Sequence, residues 1–351
     1  MKLSIIIPVY NVEDFLGVCL DSVVMQSVPM MSYEVIIVND SSPDQSLAVA
    51  EMYQAQYPQI KIISQENGGI AAARNTGMKA ATGDYILLLD SDDFYSVDFF
   101  ADLYQVIEEY SSPDLIMFDF NYFYSQDNLH EPVHQAFNAE HIESMTGKDV
   151  LAQILSKEPL FSWYPWRYAI KRPMIEANDL FFVKNRNYED MMWTPLLYLH
   201  ADQVVYLEIP AVEYRLQRPG QITGTISYKN LVDPIFAPTY LKGKMNSLHV
   251  SAELENKILR NTANKYFTAP FYAGYLTTNE RMQLIHVLID NKDLLNYTSS
   301  SLSKMVYVLI KCLGFKYAVN VIKWGMKVYQ LIKLKKEGTP NEKNIIFCKR
   351  F

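Results

Sequence analysis

Four short runs of Ile, Val and Leu, at residues 3–9, 33–38, 60–64 and 85–89, constrain this chain more than any other feature. Each is followed by a segment of helical length. The rhythm is βαβα, and apolar runs that do not alternate suit strands buried on both faces. Helix signals fall between them. Asn11 can cap a helix with Asp14 at its third position and Phe15, Leu16, Leu20, Val23 and Val24 as its apolar stripe. Ser42 supplies a second cap, with Pro43 at the first helical position and Gln45 placed to close a capping box. Gly83 is expected to end an alanine-rich helix over 70–81. The expectation is an α/β sheet domain, in which ligands bind beyond the carboxyl ends of the strands. Four polar loops fall there: Tyr10-Asn11, Asn39 to Ser42, Gln65 to Gly69, and Asp90 to Asp93.

Beyond these, 115–120 reads as a strand and 121–145 as a polar excursion without a period. Helical segments follow near 148–155 and 191–200, then strands at 204–206 and 212–216. A first domain over 1–225 and a mostly helical extension over 226–351 are expected. The net charge of −7 argues against a broad nucleic-acid surface. Cys19, Cys312 and Cys348 are too scattered for a disulfide framework or a zinc knot, which suits a reducing compartment. The first apolar run meets Pro8 too soon for a signal peptide or a membrane span, so a cytoplasmic location is expected.

The extension carries a charge shift. From Ser301 to Lys336 there are eight lysines and no aspartate or glutamate, interleaved with Met305, Val308, Leu313, Val321 and Trp324. Two readings stand: an interfacial helical pair on an anionic membrane surface, or a helical hairpin packed on the first domain with its lysines in water.

The sharpest local signal is the run from Asp84 through Leu89 into Asp90-Ser91-Asp92-Asp93. A buried strand delivers three carboxylates into one short loop, a concentration of hard oxygen ligands suited to Mg²⁺ or Mn²⁺. A solvated acidic turn would read the same way in isolation.

Together with this loop, Ile6-Ile7-Pro8-Val9-Tyr10-Asn11, Val38-Asn39-Asp40-Ser41-Ser42-Pro43-Asp44, Asn67-Gly68-Gly69 and Ala73-Arg74-Asn75-Thr76-Gly77 make an ordered set. The set resembles family 2 of the inverting glycosyltransferases, with a GT-A, Rossmann-like nucleotide-diphospho-sugar transferase domain. The resemblance reaches roughly two thirds of the chain if Glu189-Asp190 and Tyr214-Arg215 are included. It implies that Asp40 recognises the nucleoside, although Asn39 stands where the family usually has a second acid. Pro8, Tyr10 and Asn67 would shape the nucleotide pocket, and Arg74 would contact a phosphate or an acidic loop. With Asp90 beside it, Asp92 would hold Mn²⁺ or Mg²⁺ against the leaving diphosphate.

The same resemblance makes Asp190 the general base toward an acceptor hydroxyl, with Glu189 orienting it or binding acceptor. A cap on the helix that starts there explains the same pair of acids. Arg215 and Arg218, with Gln221 in support, would close over the donor diphosphate. In Trp163-Tyr164-Pro165-Trp166-Arg167, Trp166 is an acceptor-binding candidate by aromatic stacking on a sugar, or a core residue. The implied reaction transfers a hexose or N-acetylhexosamine from a UDP-sugar to a saccharide or lipid-linked saccharide, as in exopolysaccharide or capsule synthesis. The enzyme would sit in the cytoplasm, peripheral at the inner face of the cell membrane. Rival readings are a sugar-phosphate nucleotidyltransferase and a noncatalytic saccharide-binding or assembly protein on a transferase scaffold.

Overall fold

A computed structural model describes residues 1–133, 145–216 and 226–337, with side chains as far as 326. The chain divides into two compact units, Met1–Gln221 and Ile222–Phe351.

In the first unit the four apolar runs are strands β1 (Leu3–Val9), β2 (Tyr33–Asn39), β3 (Ile60–Ser64) and β4 (Tyr85–Leu88). They pair in parallel in the order β3-β2-β1-β4. The helices between them are α1 (Glu13–Val24), α2 (Ser46–Gln56) and α3 (Ile70–Ala80). After β5 (Phe94–Tyr95) and α4 (Phe99–Glu109) comes β6 (Leu115–Tyr124). The chain then runs through β7 (Leu129–Pro132), α5 (Gly147–Lys157), β8 (Tyr168–Lys171) and α6 (Arg172–Ala177) to α7 (Asp190–His200) and β9 (Val204–Leu216). β8 extends the sheet antiparallel to both β4 and β6, and β9 lies parallel to β6. The resulting mixed sheet puts the carboxyl ends of β1 to β4 side by side.

Close packing explains two glycines. A Cβ on Gly77 would come 2.3 Å from Cγ2 of Ile6, so α3 lies flush on β1. At Gly83 it would lie 2.7 Å from the Lys2 carbonyl oxygen. Gly83 is therefore no helix stop: α3 ends at Ala80 with Ala81 already extended, and the Gly83 N–H donates to Ser4 Oγ at 2.8 Å.

The helix starts also differ from expectation. Asn11 sits in the left-handed region (φ 55°) and α1 begins at Glu13. The Val12 N–H donates to Ser46 Oγ (3.0 Å) and the Glu13 N–H to the Asp44 carboxylate (2.9 Å), while Glu13 accepts from the Gln45 N–H (2.6 Å). Thus α1 and α2 cap each other. Ser42 instead donates its N–H to Asn39 Oδ1, and α2 starts four residues after it.

The excursion after β6 begins as a hairpin with β7, and residues 134–144 lie outside the described part. The two strands expected at 204–206 and 212–216 are one, because register shifts between Phe118 and Phe120 let β9 run past Pro210, which has no N–H to donate.

The second unit is helical: α8 (Tyr228–Val232), α9 (Ala237–Met245), α10 (Ala252–Thr262), α11 (Asn264–Tyr272), α12 (Thr278–Asp290) and α13 (Ser301–Glu337). Its core gathers Tyr266, Phe267, Leu284, Leu288, Val306 and Val319.

Candidate active site

The loops after β1 to β4 converge on one edge of the sheet, and buried charges fix them there. Asp40, at the end of β2, is 3% exposed. Its Oδ1 accepts from Gln65 Nε2 (2.7 Å) and the Gly68 N–H (2.9 Å), and its Oδ2 accepts from the Gly69 N–H (2.8 Å). Asn67 Nδ2 donates to its carbonyl (3.1 Å). Asp40 thus builds the turn that launches α3, where Gly69 takes φ 80°. Tyr10 is exposed beside this edge, and Pro8 is buried in β1.

α3 presents Arg74, which is 2% exposed and lies between two carboxylates that are far apart in sequence. Its Nη1 donates to Glu189 Oε1 and its Nη2 to Asp90 Oδ1, both at 2.6 Å, and its guanidinium lies 5.3 Å from the Phe182 ring centroid. The next residue fixes the same segment: Asn75 exchanges two hydrogen bonds with the backbone of Phe182 (2.8 and 2.9 Å). Burial opposes the charge on Arg74, but Asp90 and Glu189 outweigh it and hold the guanidinium ionised. Burial, with Asp90 adding to it, lifts the Glu189 carboxyl above its ordinary value against the pull of Arg74. Tyr188 takes a left-handed φ of 59°, and this turn sends Glu189 inward and leaves Asp190, the first residue of α7, half-buried. Asp190 Oδ1 accepts from the Met191 N–H at 2.9 Å, at the positive end of the helix.

The acidic loop is held from the other side by β9. The Arg215 N–H donates to Asp93 Oδ1 (2.7 Å) and Arg215 Nε to the Asp92 carbonyl (2.8 Å). The guanidinium lies 5.2, 5.6 and 4.9 Å from the rings of Phe15, Phe94 and Phe123. This aromatic surround has no local sequence signal, since its members come from α1, β5 and β6. Arg218 and Gln221 lie outside the described residues. Trp166 is 2% exposed and stacked on Tyr164, with ring centroids 4.9 Å apart and planes 10° apart; Phe120 and Tyr214 pack around it. Tyr164 is the more accessible ring of the pair.

The acidic loop carries features that a cation would satisfy. Asp93 Oδ2 is buried and accepts no hydrogen bond. Burial, then the charges of Asp92 and Asp90, push the Asp93 carboxyl well above its ordinary value. The same burial and acids raise the Cys19 thiol beneath the loop. Among the described residues no three His, Cys, Asp or Glu side chains form a metal-holding group. The carboxylates of Asp90, Asp92 and Asp93 are hard oxygen donors of the kind that suits Mg²⁺ or Mn²⁺ shared with ligand phosphates.

The parallel half-sheet, with its loops and buried anchors at the strand ends, is a Rossmann-like arrangement in which a ligand sits beyond the strand ends. The comparisons agree. Residues 4–167, just under half of the chain, match the family described as "Glycosyl transferase family 2". It is 34% identical over 232 residues to a Bacillus subtilis protein named "Uncharacterized glycosyltransferase EpsJ", covering 66% of this chain and 65% of that one. To the Escherichia coli protein named "Uncharacterized glycosyltransferase YibD" it is 26% identical, over 94% of this chain and 93% of the other. In fold it is similar to the Staphylococcus aureus TarS fragment 1–349 solved with UDP-GlcNAc, with a TM-score of 0.73 at 20% identity, over 93% of this chain and 92% of that one. The chain thus spans just under two thirds of EpsJ and nearly all of YibD and of the TarS fragment.

Proposed function

We propose that this protein is an inverting glycosyltransferase that moves a hexose or N-acetylhexosamine from a UDP-sugar to a hydroxyl of a saccharide or lipid-linked saccharide. The observation that carries the reading is the Arg74 bridge. It ties the β4 loop, on the donor side, to Glu189, which immediately precedes the candidate base Asp190. One buried cation thereby sets both halves of a two-substrate site in a fixed relation, the positional requirement of a direct displacement. The UDP-GlcNAc of the TarS structure supports UDP as the nucleotide.

In this reading the Asp190 carboxylate takes the proton of the acceptor hydroxyl as its oxygen bonds to the anomeric carbon. The bond from that carbon to the diphosphate oxygen breaks on the opposite side, UDP departs with the electron pair, and the anomeric configuration inverts. Glu189, locked on Arg74, is a positioning residue rather than a second base. Asp40 and the Asn67 turn, with Pro8 and Tyr10, shape the nucleoside pocket. Arg215 holds the acidic loop, and Arg218 is assigned to the diphosphate. Tyr164, backed by Trp166, offers an aromatic face for the acceptor. Mn²⁺ or Mg²⁺ held by Asp92, with Asp90 and Asp93 beside it, would neutralise the leaving diphosphate. The place of action is the cytoplasm, at the inner face of the cell membrane.

The test is a panel of UDP-sugars with saccharide and lipid-linked acceptors, with and without EDTA, read as UDP release and by the anomeric configuration of the product. The expected result is metal-dependent UDP release with inversion. Pyrophosphate release from a nucleoside triphosphate and a sugar phosphate would identify a nucleotidyltransferase, and saturable saccharide binding without turnover would identify a noncatalytic scaffold.

A further inference from the structure

The last helix of the second unit has two unlike faces. Ser301–Met326 is long and apolar enough by composition to cross a membrane, yet 28% of its apolar window is buried inside the protein. The buried side includes Val306 and Ile310 and, further on, Ala318, Val319 and Ile322, all in the unit's core. Gly314 breaks the helix with φ 73° and ψ 164°. The segment before the break spans about 20 Å at roughly 1.5 Å per residue, short of the ~30 Å hydrocarbon thickness. The segment after it is committed to the core along one side. Neither half can be surrounded by lipid.

The opposite face is apolar and open. Met305, Val308 and Cys312 follow one another at helical spacing before the break, and Tyr317, Val321 and Trp324 after it. Tyr317 and Trp324 are each 67% exposed, whereas Trp163, Trp166 and Trp193 are at most 3% exposed. Lys304 and Lys311, seven residues apart, lie along the first stripe, and Lys316 and Lys323 lie along the second at the same spacing. No acidic residue occurs between Ser301 and Lys336, in a protein of net charge −7. A second copy of this face would set lysines against lysines. An acidic surface with an apolar layer beneath it complements both features at once.

We infer that this face of α13 docks on an anionic lipid surface. The helix lies in the headgroup plane, with Tyr317, Val321 and Trp324 entering the acyl boundary and Lys304, Lys311 and Lys316 over the headgroups. The inference deepens the proposed membrane location and rests on it for biological meaning, but its test does not depend on sugar transfer.

Full-length protein is mixed with vesicles of phosphatidylcholine alone or of phosphatidylcholine with phosphatidylglycerol. Because the other three tryptophans are buried, the emission change reports Trp324. The expected result is a blue shift, and quenching by brominated acyl chains, with the anionic vesicles, both suppressed by high salt. In flotation, Tyr317→Asn with Trp324→Asn is expected to bind at least tenfold more weakly, and Lys311→Glu with Lys316→Glu to lose the preference for anionic lipid. UDP binding and urea unfolding, unchanged in both variants, verify the fold. Equal binding to both vesicle types, flotation of the variants like the wild type, or conversion of a dimer to a monomer by the apolar variant without an effect on flotation would each overturn the inference. UDP release measured with a soluble acceptor on the same preparations separates this outcome from failure of the transferase reading.

Discussion

The first unit buries many charged side chains, and the second, among the described residues, buries one. In the first, Arg74, Arg167 and Arg215 and the acids Asp40, Asp93 and Glu189 are each at most 7% exposed, and most of their partners are remote in sequence. In the second, among the described residues, Asp233 is the buried carboxylate, and the helices are held by apolar packing and by local caps such as the Thr277–Glu280 capping box. Buried charge is costly to desolvate and tolerates little displacement, so its concentration at the strand ends marks where geometry matters more than stability. The second unit carries its distinctive chemistry on its outside.

The sharpest way to break this contrast is Arg74→Ala. It leaves Glu189 and Asp90 without their shared cation, and a cost of about 3–5 kcal/mol is expected in urea unfolding, as for other broken buried ion pairs. Arg74→Lys keeps the charge but loses the two-pronged donor, so a smaller stability loss with a clear drop in transfer is expected. If Arg74→Ala unfolds like the wild type, the charge network is ornamental. Next comes Gly77→Ala, whose methyl would meet Ile6 Cγ2 at 2.3 Å. Overpacking of about 1–3 kcal/mol is expected, measurable by thermal unfolding. The smallest effect belongs to the second unit: Thr277→Ala removes the α12 cap and should cost about 1 kcal/mol, with UDP binding unchanged by calorimetry. A larger loss of UDP binding there would show that the two units are not independent in function.

The sequence alone carried the strands and loops of the site because each depends on a few neighbouring residues. β1 to β4 are apolar runs whose burial on both faces removes alternation, and the polar loops necessarily follow them. The helix starts are not legible in the sequence because their caps are not local: Ser46 and Asp44 serve α1, and Glu13 serves α2. The two strands expected at 204–206 and 212–216 are one, and the bulge in the β6–β9 pairing that joins them is invisible without the partner. Arg74 was recognisable as a site residue, but its double bridge required knowing that Glu189, 115 positions away, reaches α3. The rings around Arg215 were hidden for the same reason. An aromatic run such as Trp163 to Trp166 fits a sugar platform or a core equally well, and burial places Trp166 in the core cluster with Tyr164 at its edge.

We propose that the Arg74 bridge presents Asp190 as the base of a direct displacement. Asp190→Asn keeps size and shape while removing proton affinity, so UDP binding in the presence of Mn²⁺ should be unchanged by calorimetry while single-turnover sugar transfer slows by about 10²–10⁴-fold. Transfer within a few-fold of the wild type, with the donor bound normally, would contradict the account.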